Sequence, residues 1–133
     1  MIVLIDTNIL ISAALNPNGT PFKAYVKAVS YPNQAIICEQ NIDELRRIFN
    51  RKFSNKLNVL EEFLALSLPV LKIVSTPETI NESEDKIRDV MDRAILRAAI
   101  NADADILLTG DKDFLESGIE SPRIMTASEF LDY

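Results

Sequence analysis

Met1-Ile2-Val3-Leu4-Ile5-Asp6-Thr7-Asn8 is the stretch on which the reading of this chain turns. Its β-branched and leucine run, residues 2–5, stops abruptly at polar residues, as a buried strand does at the edge of a sheet. It carries no basic leader or cleavage pattern, so it reads as a strand and not as a signal peptide. A second buried-type run, Ile106-Leu107-Leu108, leads into Thr109-Gly110-Asp111-Lys112-Asp113-Phe114. Two strands therefore end in acid. An aspartate at a strand end can simply start a turn or cap a helix; two such ends in one parallel sheet are harder to explain that way.

Between these runs, strands alternate with helices. Asn16-Pro17-Asn18-Gly19 and Pro21 make a turn, after which Phe22, Tyr25, Val26 and Val29 recur at helical spacing. Ala35-Ile36-Ile37-Cys38 is a second strand, and Ile42, Leu45, Ile48 and Phe49 trace one face of a helix from Glu39 to about Lys52. A helix over Val59–Leu68 stops at Pro69, and Val70–Val74 reads as a third strand. Residues 75–86 are polar and read as a loop. Ile87, Val90, Met91, Ala94, Ile95, Ala98 and Ala102 mark a long helix, Arg123-Ile124-Met125 a last strand, and Ser128–Leu131 a closing helical turn. This alternation requires right-handed crossovers and predicts an α/β fold with a mainly parallel sheet covered on both faces. Ligands of such sheets bind beyond the carboxyl ends of the strands, where strand order reverses.

Composition bounds the chemistry. The 133 residues suit one domain, with no linker, repeat or low-complexity tract. An apolar fraction of 47% and a charged fraction of 26% are those of a globular chain. No apolar run reaches the ~18 residues of a membrane span. The lone Cys38 can make no internal disulfide, which fits a reducing cytoplasm. The absence of histidine excludes Ser-His triads, histidine general bases and histidine-bound zinc. With a net charge of −6, a nucleic-acid partner would have to be held by a local basic patch or by bound cations.

Helical phase, at roughly 100° per residue, shows which other acids can reach the strand ends. In the helix after the second strand, Glu44 lies beside Ile48 on the rim of the apolar face, whereas Asp43 points to solvent. In the later helix, Asp92 falls on the rim near Ala99 and Asp89 points outward. Glu44 and Asp92 can thus lean towards the sheet. Asp89 is better read as a helix N-terminal carboxylate favoured by the macrodipole. Gathering these acids is costly, since two like charges ~4 Å apart repel by ~4 kcal/mol at an effective dielectric of 20. A divalent cation relieves that cost. Carboxylate oxygens suit Mg²⁺ or Mn²⁺, which can lower the pKa of a bound water and stabilise a leaving oxygen.

Asp6-Thr7-Asn8, Glu44-Leu45, Asp92 followed by Ile95, and Thr109-Gly110-Asp111-Lys112-Asp113-Phe114 together resemble the PIN domain family. More narrowly, they are similar to its VapC-like toxin components of toxin–antitoxin systems. The resemblance runs from Ile2 to Phe114. It implies an α/β/α sandwich with strand order 3-2-1-4-5 and a Mg²⁺- or Mn²⁺-dependent ribonuclease using metal-activated water. By position, Asp6, Glu44, Asp92 and Asp111 match the family's acidic catalytic and metal site, and Asp113 a more variable acidic position. Asn8 and Thr109 would orient those carboxylates. An antitoxin protein partner and a homodimer are also implied. The chain departs from its closest group in having Asp89-Val90-Met91-Asp92 where a run of acids is common, and Cys38 where serine is common.

Arg46, Arg47, Arg51, Lys52 and Lys56 follow Glu44 closely, so a strand of RNA could be led along them into the acidic site. The same run could be no more than a solvated helix face, and Phe49 and Phe53 within it have core spacing. Two other readings compete with the nuclease. A PIN-like module could bind RNA or protein without cutting. A haloacid-dehalogenase-type phosphatase also begins with strand–Asp, but needs a second aspartate as general acid where this chain has Asn8.

Overall fold

The apolar runs form the strands β1 (Ile2–Ile5), β2 (Gln34–Cys38), β3 (Lys72–Val74), β4 (Ile106–Leu108) and β5 (Arg123–Met125) of a computed structural model that describes residues 1–133. All neighbours pair in parallel, in the order β3-β2-β1-β4-β5. This is the 3-2-1-4-5 order expected of the fold. The helices are α1 (Thr7–Leu15), α2 (Thr20–Val29), α3 (Glu39–Lys52), α4 (Leu57–Ser67), α5 (Val90–Asn101), α6 (Lys112–Leu115) and α7 (Ala127–Asp132). None is long and apolar enough to cross a membrane.

The two-residue period of the strands divides the core in two. Val3 and Ile5, Ala35 and Ile37, and Ile106 and Leu108 belong to a cluster of 20 buried residues with side chains of α1–α4 and α7, Phe49 and Phe130 among them. Leu4, Ile36, Cys38 and Leu107 belong to a cluster of 11 with Ile95, Leu96, Ala98 and Ala99 of α5 and Phe114 of α6. Each fully buried Leu, Ile or Phe contributes about 1.5–3 kcal/mol relative to exposure. The larger layer fixes α1 and α3 over the sheet; the smaller fixes α5. Between them β1 passes to β2 on one side and β4 lies on the other, so strand order reverses beside Asp6.

Several boundaries differ from the sequence pattern. α1 occupies a stretch to which the pattern gave no element. The chain over 68–71 forms a turn, with Val70 N and Leu71 N donating to Ser67 O at 3.0 Å, so β3 begins at Lys72 and not at Val70. α4 begins at Leu57, two residues early. α5 begins at Val90, not Ile87: Ile87 is fully buried but extended, and Asp89 is the cap. The expected loop contains a 3₁₀ turn, Glu82–Lys86, held by a buried carboxylate. Glu84 Oε1 and Oε2 accept from Arg97 Nη2 at 2.6 Å and Nε at 3.0 Å, and Arg97 Nη1 also donates to Pro77 O at 2.9 Å. That ion pair lashes the segment before Asp89 onto α5.

Candidate metal centre

On the sheet side, every acid is held by hydrogen bonds. Asp6 N donates to Leu108 O at 2.9 Å, joining the ends of β1 and β4. The Asp6 carboxylate caps α1: Oδ1 accepts from Thr7 N at 2.8 Å, and Oδ2 accepts from the Thr109 hydroxyl at 2.7 Å. Thr109 is fully buried, and its oxygen also accepts from Asp111 N at 3.0 Å. One hydroxyl therefore orients two acidic positions. Asp111 caps α6 through Asp113 N at 2.9 Å, and Asn8 Oδ1 accepts from Gly110 N at 3.3 Å, tying the β1 and β4 loops together. Asn41, fully buried, extends the network to β2: its Oδ1 accepts from Cys38 N at 2.9 Å and its Nδ2 donates to Thr7 Oγ1 at 3.0 Å.

The helices add acids from both faces. A cleft of about 310 Å³ is lined by Asp6, Asn8 and Asp111 from the sheet side, Glu44 from α3, and Asp89 and Asp92 from the start of α5. Asp92 is 6% exposed, and its Oδ2 is buried without a hydrogen-bond partner. Asp89 caps α5 by accepting from Met91 N at 2.9 Å. Oxygens of Asp89, Asp92 and Asp113 lie within 4.8 Å of one another.

Burial and mutual repulsion raise two of these carboxylates, Asp6 and Asp92. Asp6 is pushed up to about 6, first by burial, against which its Thr109 and Thr7 hydrogen bonds work, with the charges of Glu44 and Asp111 adding to the rise. Asp92 is pushed up to about 8 by burial, then by the adjoining Asp111 side chain, then by the charges of Asp6, Asp111 and Asp89. The donor set is all oxygen, and one buried oxygen is aimed at no protein donor. A divalent cation of the Mg²⁺ or Mn²⁺ type fits this arrangement, because it would compensate the negative charge that burial and crowding disfavour here. Cys38 stands apart: its buried thiol, raised by burial, donates to Asn41 Oδ1 at 3.2 Å.

The structure thus brings Asp6, Glu44, Asp92 and Asp111 around one cleft, with Asn8 and Thr109 in contact with the loops that carry them. Asp113 does not line the cleft itself and stands at its edge beside Asp89 and Asp92. Asp89 corrects the helical-phase reading. It does serve as an N-terminal carboxylate, as its position suggested, yet it also lines the cleft. As a cap it has extended backbone, so the phase of α5 does not govern its direction. The D-x-x-D spacing at a helix start was the available signal. The basic run divides as well. Arg47 and Arg51 line the cleft, with Arg47 Nη2 3.8 Å from Glu44 Oε2. Arg46 instead pairs with Glu61 of α4 at 2.5 Å, and neither it nor Lys52 lines the cleft. Arg88, which the sequence pattern did not single out, pairs with Asp113 at 2.7 Å.

Comparison with known proteins agrees with this architecture. The chain is 31% identical over 118 residues to the uncharacterized protein MJ1680 of Methanocaldococcus jannaschii, covering 85% of this chain and 72% of that protein. Its fold is similar to that in the crystal structure of VapBC2 from Rickettsia felis bound to a DNA fragment from their promoter. The TM-score is 0.70 at 19% identity, covering 95% of this chain and 98% of the other. It is similar also to VapC20 of Mycobacterium tuberculosis, described as a sarcin–ricin loop cleaving toxin, with a TM-score of 0.64 at 12% identity, covering 88% and 95% of the two chains. The family profile described as PIN domain matches residues 2–113, nearly the whole of the sheet and its acidic cleft, and the chain belongs to the PIN domain family.

Proposed function

We propose that this protein is a Mg²⁺- or Mn²⁺-dependent endoribonuclease. The observation that carries the reading is the meeting of Asp6, Glu44, Asp92 and Asp111, from four separated segments, around one cleft in which a buried Asp92 oxygen has no protein partner. When bound there, a divalent ion supplies a Lewis acid and a water of lowered pKa. The chain's own residues do the rest. Asp6, Asp92 and Asp111 would hold the cation, with Glu44 and Asp113 as further carboxylates of the site. Thr109 fixes Asp6 and the Asp111 backbone through one hydroxyl, so that neither can turn away from the cleft. Arg47 and Arg51, at the mouth, attract the phosphodiester that an acidic protein would otherwise repel.

RNA is the substrate class in this reading, in line with the sarcin–ricin loop that VapC20 is described as cleaving. The test is cleavage of a mixed RNA pool in Mn²⁺, in excess chelator, and with Asp6→Asn. Cleavage in Mn²⁺ that both chelator and substitution abolish is expected. Activity that survives both rejects the mechanism; no cleavage of any RNA would favour the binding-module alternative.

The reading extends to assembly. The protein acts in the cytoplasm as the toxin of a toxin–antitoxin pair, and as a homodimer. Leu66, Leu68, Val70 and Ile73, exposed along the end of α4 and the edge strand β3, offer apolar surface to a second copy or to an antitoxin. Sedimentation at micromolar concentration is expected to give a dimer; a monomer throughout would reject that part.

A further inference from the structure

Outside the cleft's main ligands, one charged contact remains without a role. The Arg88 side chain is 75% exposed, yet its guanidinium points back to the acidic cluster, with Nη2 2.7 Å from Asp113 Oδ1 and 3.8 Å from Glu116 Oε2. Its backbone is fixed from both sides. Ile87 is fully buried and its carbonyl accepts from Arg93 Nε at 2.9 Å, while Asp89 caps α5. Arg88 is therefore a free side chain on an anchored stem. Its partner Asp113 belongs to the group in which Asp89, Asp92 and Asp113 oxygens lie within 4.8 Å, beside the unpartnered Asp92 Oδ2. No other basic side chain pairs with that group.

We propose that Arg88 is a resident counter-ion for this end of the cluster: in the metal-free protein it pairs with Asp113, and it competes with a divalent ion for that carboxylate. The inference rests on the metal-dependent reading above and adds to it a residue of this chain that sets metal affinity without being a ligand. Arg88 meets Asp113 through one nitrogen on one oxygen, and a guanidinium and a divalent cation compete for the charge of the same carboxylate, so each weakens the other's hold. The exchange is also cheap, because an exposed ion pair is weak and salt-screened. The released guanidinium stays at the rim through its anchored stem.

Mn²⁺ binding, measured by calorimetry or by the spin signal of free Mn²⁺ and without RNA, tests this on the full chain. Arg88→Ala is expected to bind Mn²⁺ about two- to fivefold more tightly than the wild type, the range set by the weakness of exposed pairs. The same substitution made in Asp113→Asn is expected to change nothing, since the contested carboxylate is gone. Unchanged or weaker binding by Arg88→Ala overturns the proposal. So does a tightening that persists in Asp113→Asn, which would assign the effect to general charge. If neither wild type nor Arg88→Ala binds Mn²⁺, the metal-dependent reading falls and this inference with it.

Discussion

The two sides of the acidic cleft are built on different principles. On the sheet side, Asp6 and Asp111 leave the ends of β1 and β4, and backbone amides and the Thr109 hydroxyl satisfy them. On the helix side, Asp92 keeps a buried oxygen without a partner, and the outlying acids are met by arginines: Glu44 by Arg47, Asp113 by Arg88. Hydrogen bonds from fixed backbone amides hold a carboxylate in place, whereas ion pairs on exposed side chains yield to a competing cation. On the proposed function, the sheet side would fix where a cation sits, and the more loosely held helix side would tune how tightly it is kept.

Breaking the sheet side should have the largest effect. Asp6→Asn keeps the shape but removes a central charge, and is expected to lower RNA cleavage by more than the ~10–100-fold that loss of a supporting partner costs. Steady-state cleavage with a circular-dichroism check of the fold measures it. Next, Thr109→Val deletes the hydroxyl that serves both Asp6 and Asp111 N, and roughly 10–100-fold lower activity or metal affinity is expected. Equal activity in this variant would mean that the strand-end carboxylates are held well enough by backbone alone.

Asp6 is raised to about 6 and Asp92 to about 8, above the ~3.9 of an unfolded aspartate. Between those limits the native, metal-free protein binds more protons than the unfolded chain, so its stability falls as pH rises from about 5 to 8. Thermal melts in chelator are expected to show that decline. Saturating Mn²⁺ should flatten or reverse it, because metal binding releases the protons and strengthens with pH. A metal-free protein that grows more stable over this range would contradict the burial of these charges. The smallest effect is expected from the rim. Arg47→Ala should raise the KM for RNA several-fold at low salt, less at high salt, and leave kcat nearly unchanged. A fall in kcat with KM unchanged would place Arg47 in the chemistry.

What the sequence made legible follows the same division. Strands β1, β2 and β4 announce themselves as short buried runs, and Asp6 and Asp111 follow from where those runs stop. Glu44 and Asp92 follow from helical phase because α3 and α5 carry one apolar stripe each. α1 escaped that reasoning because Ile9, Leu10, Ile11, Ala13, Ala14 and Leu15 make it apolar nearly all round, leaving no stripe to detect. Asp89 escaped it because a capping residue lies outside the helix whose phase was used. The Glu84–Arg97 pair depends on a tertiary contact, although the Asn81-x-x-Glu84 spacing carried a capping-box signal. Arg47 and Arg51 could have been separated from Arg46, since they stand three and seven residues after Glu44 and share its face.

The most direct test of the shared cation site is a crystal of the wild-type protein soaked in Mn²⁺ and recorded at the manganese absorption edge. An anomalous peak within coordination distance of Asp6, Asp92 and Asp111 is expected, with the Asp92 Oδ2 oxygen among the ligands. A peak elsewhere, or none with the cleft open to solvent at millimolar Mn²⁺, would contradict the account.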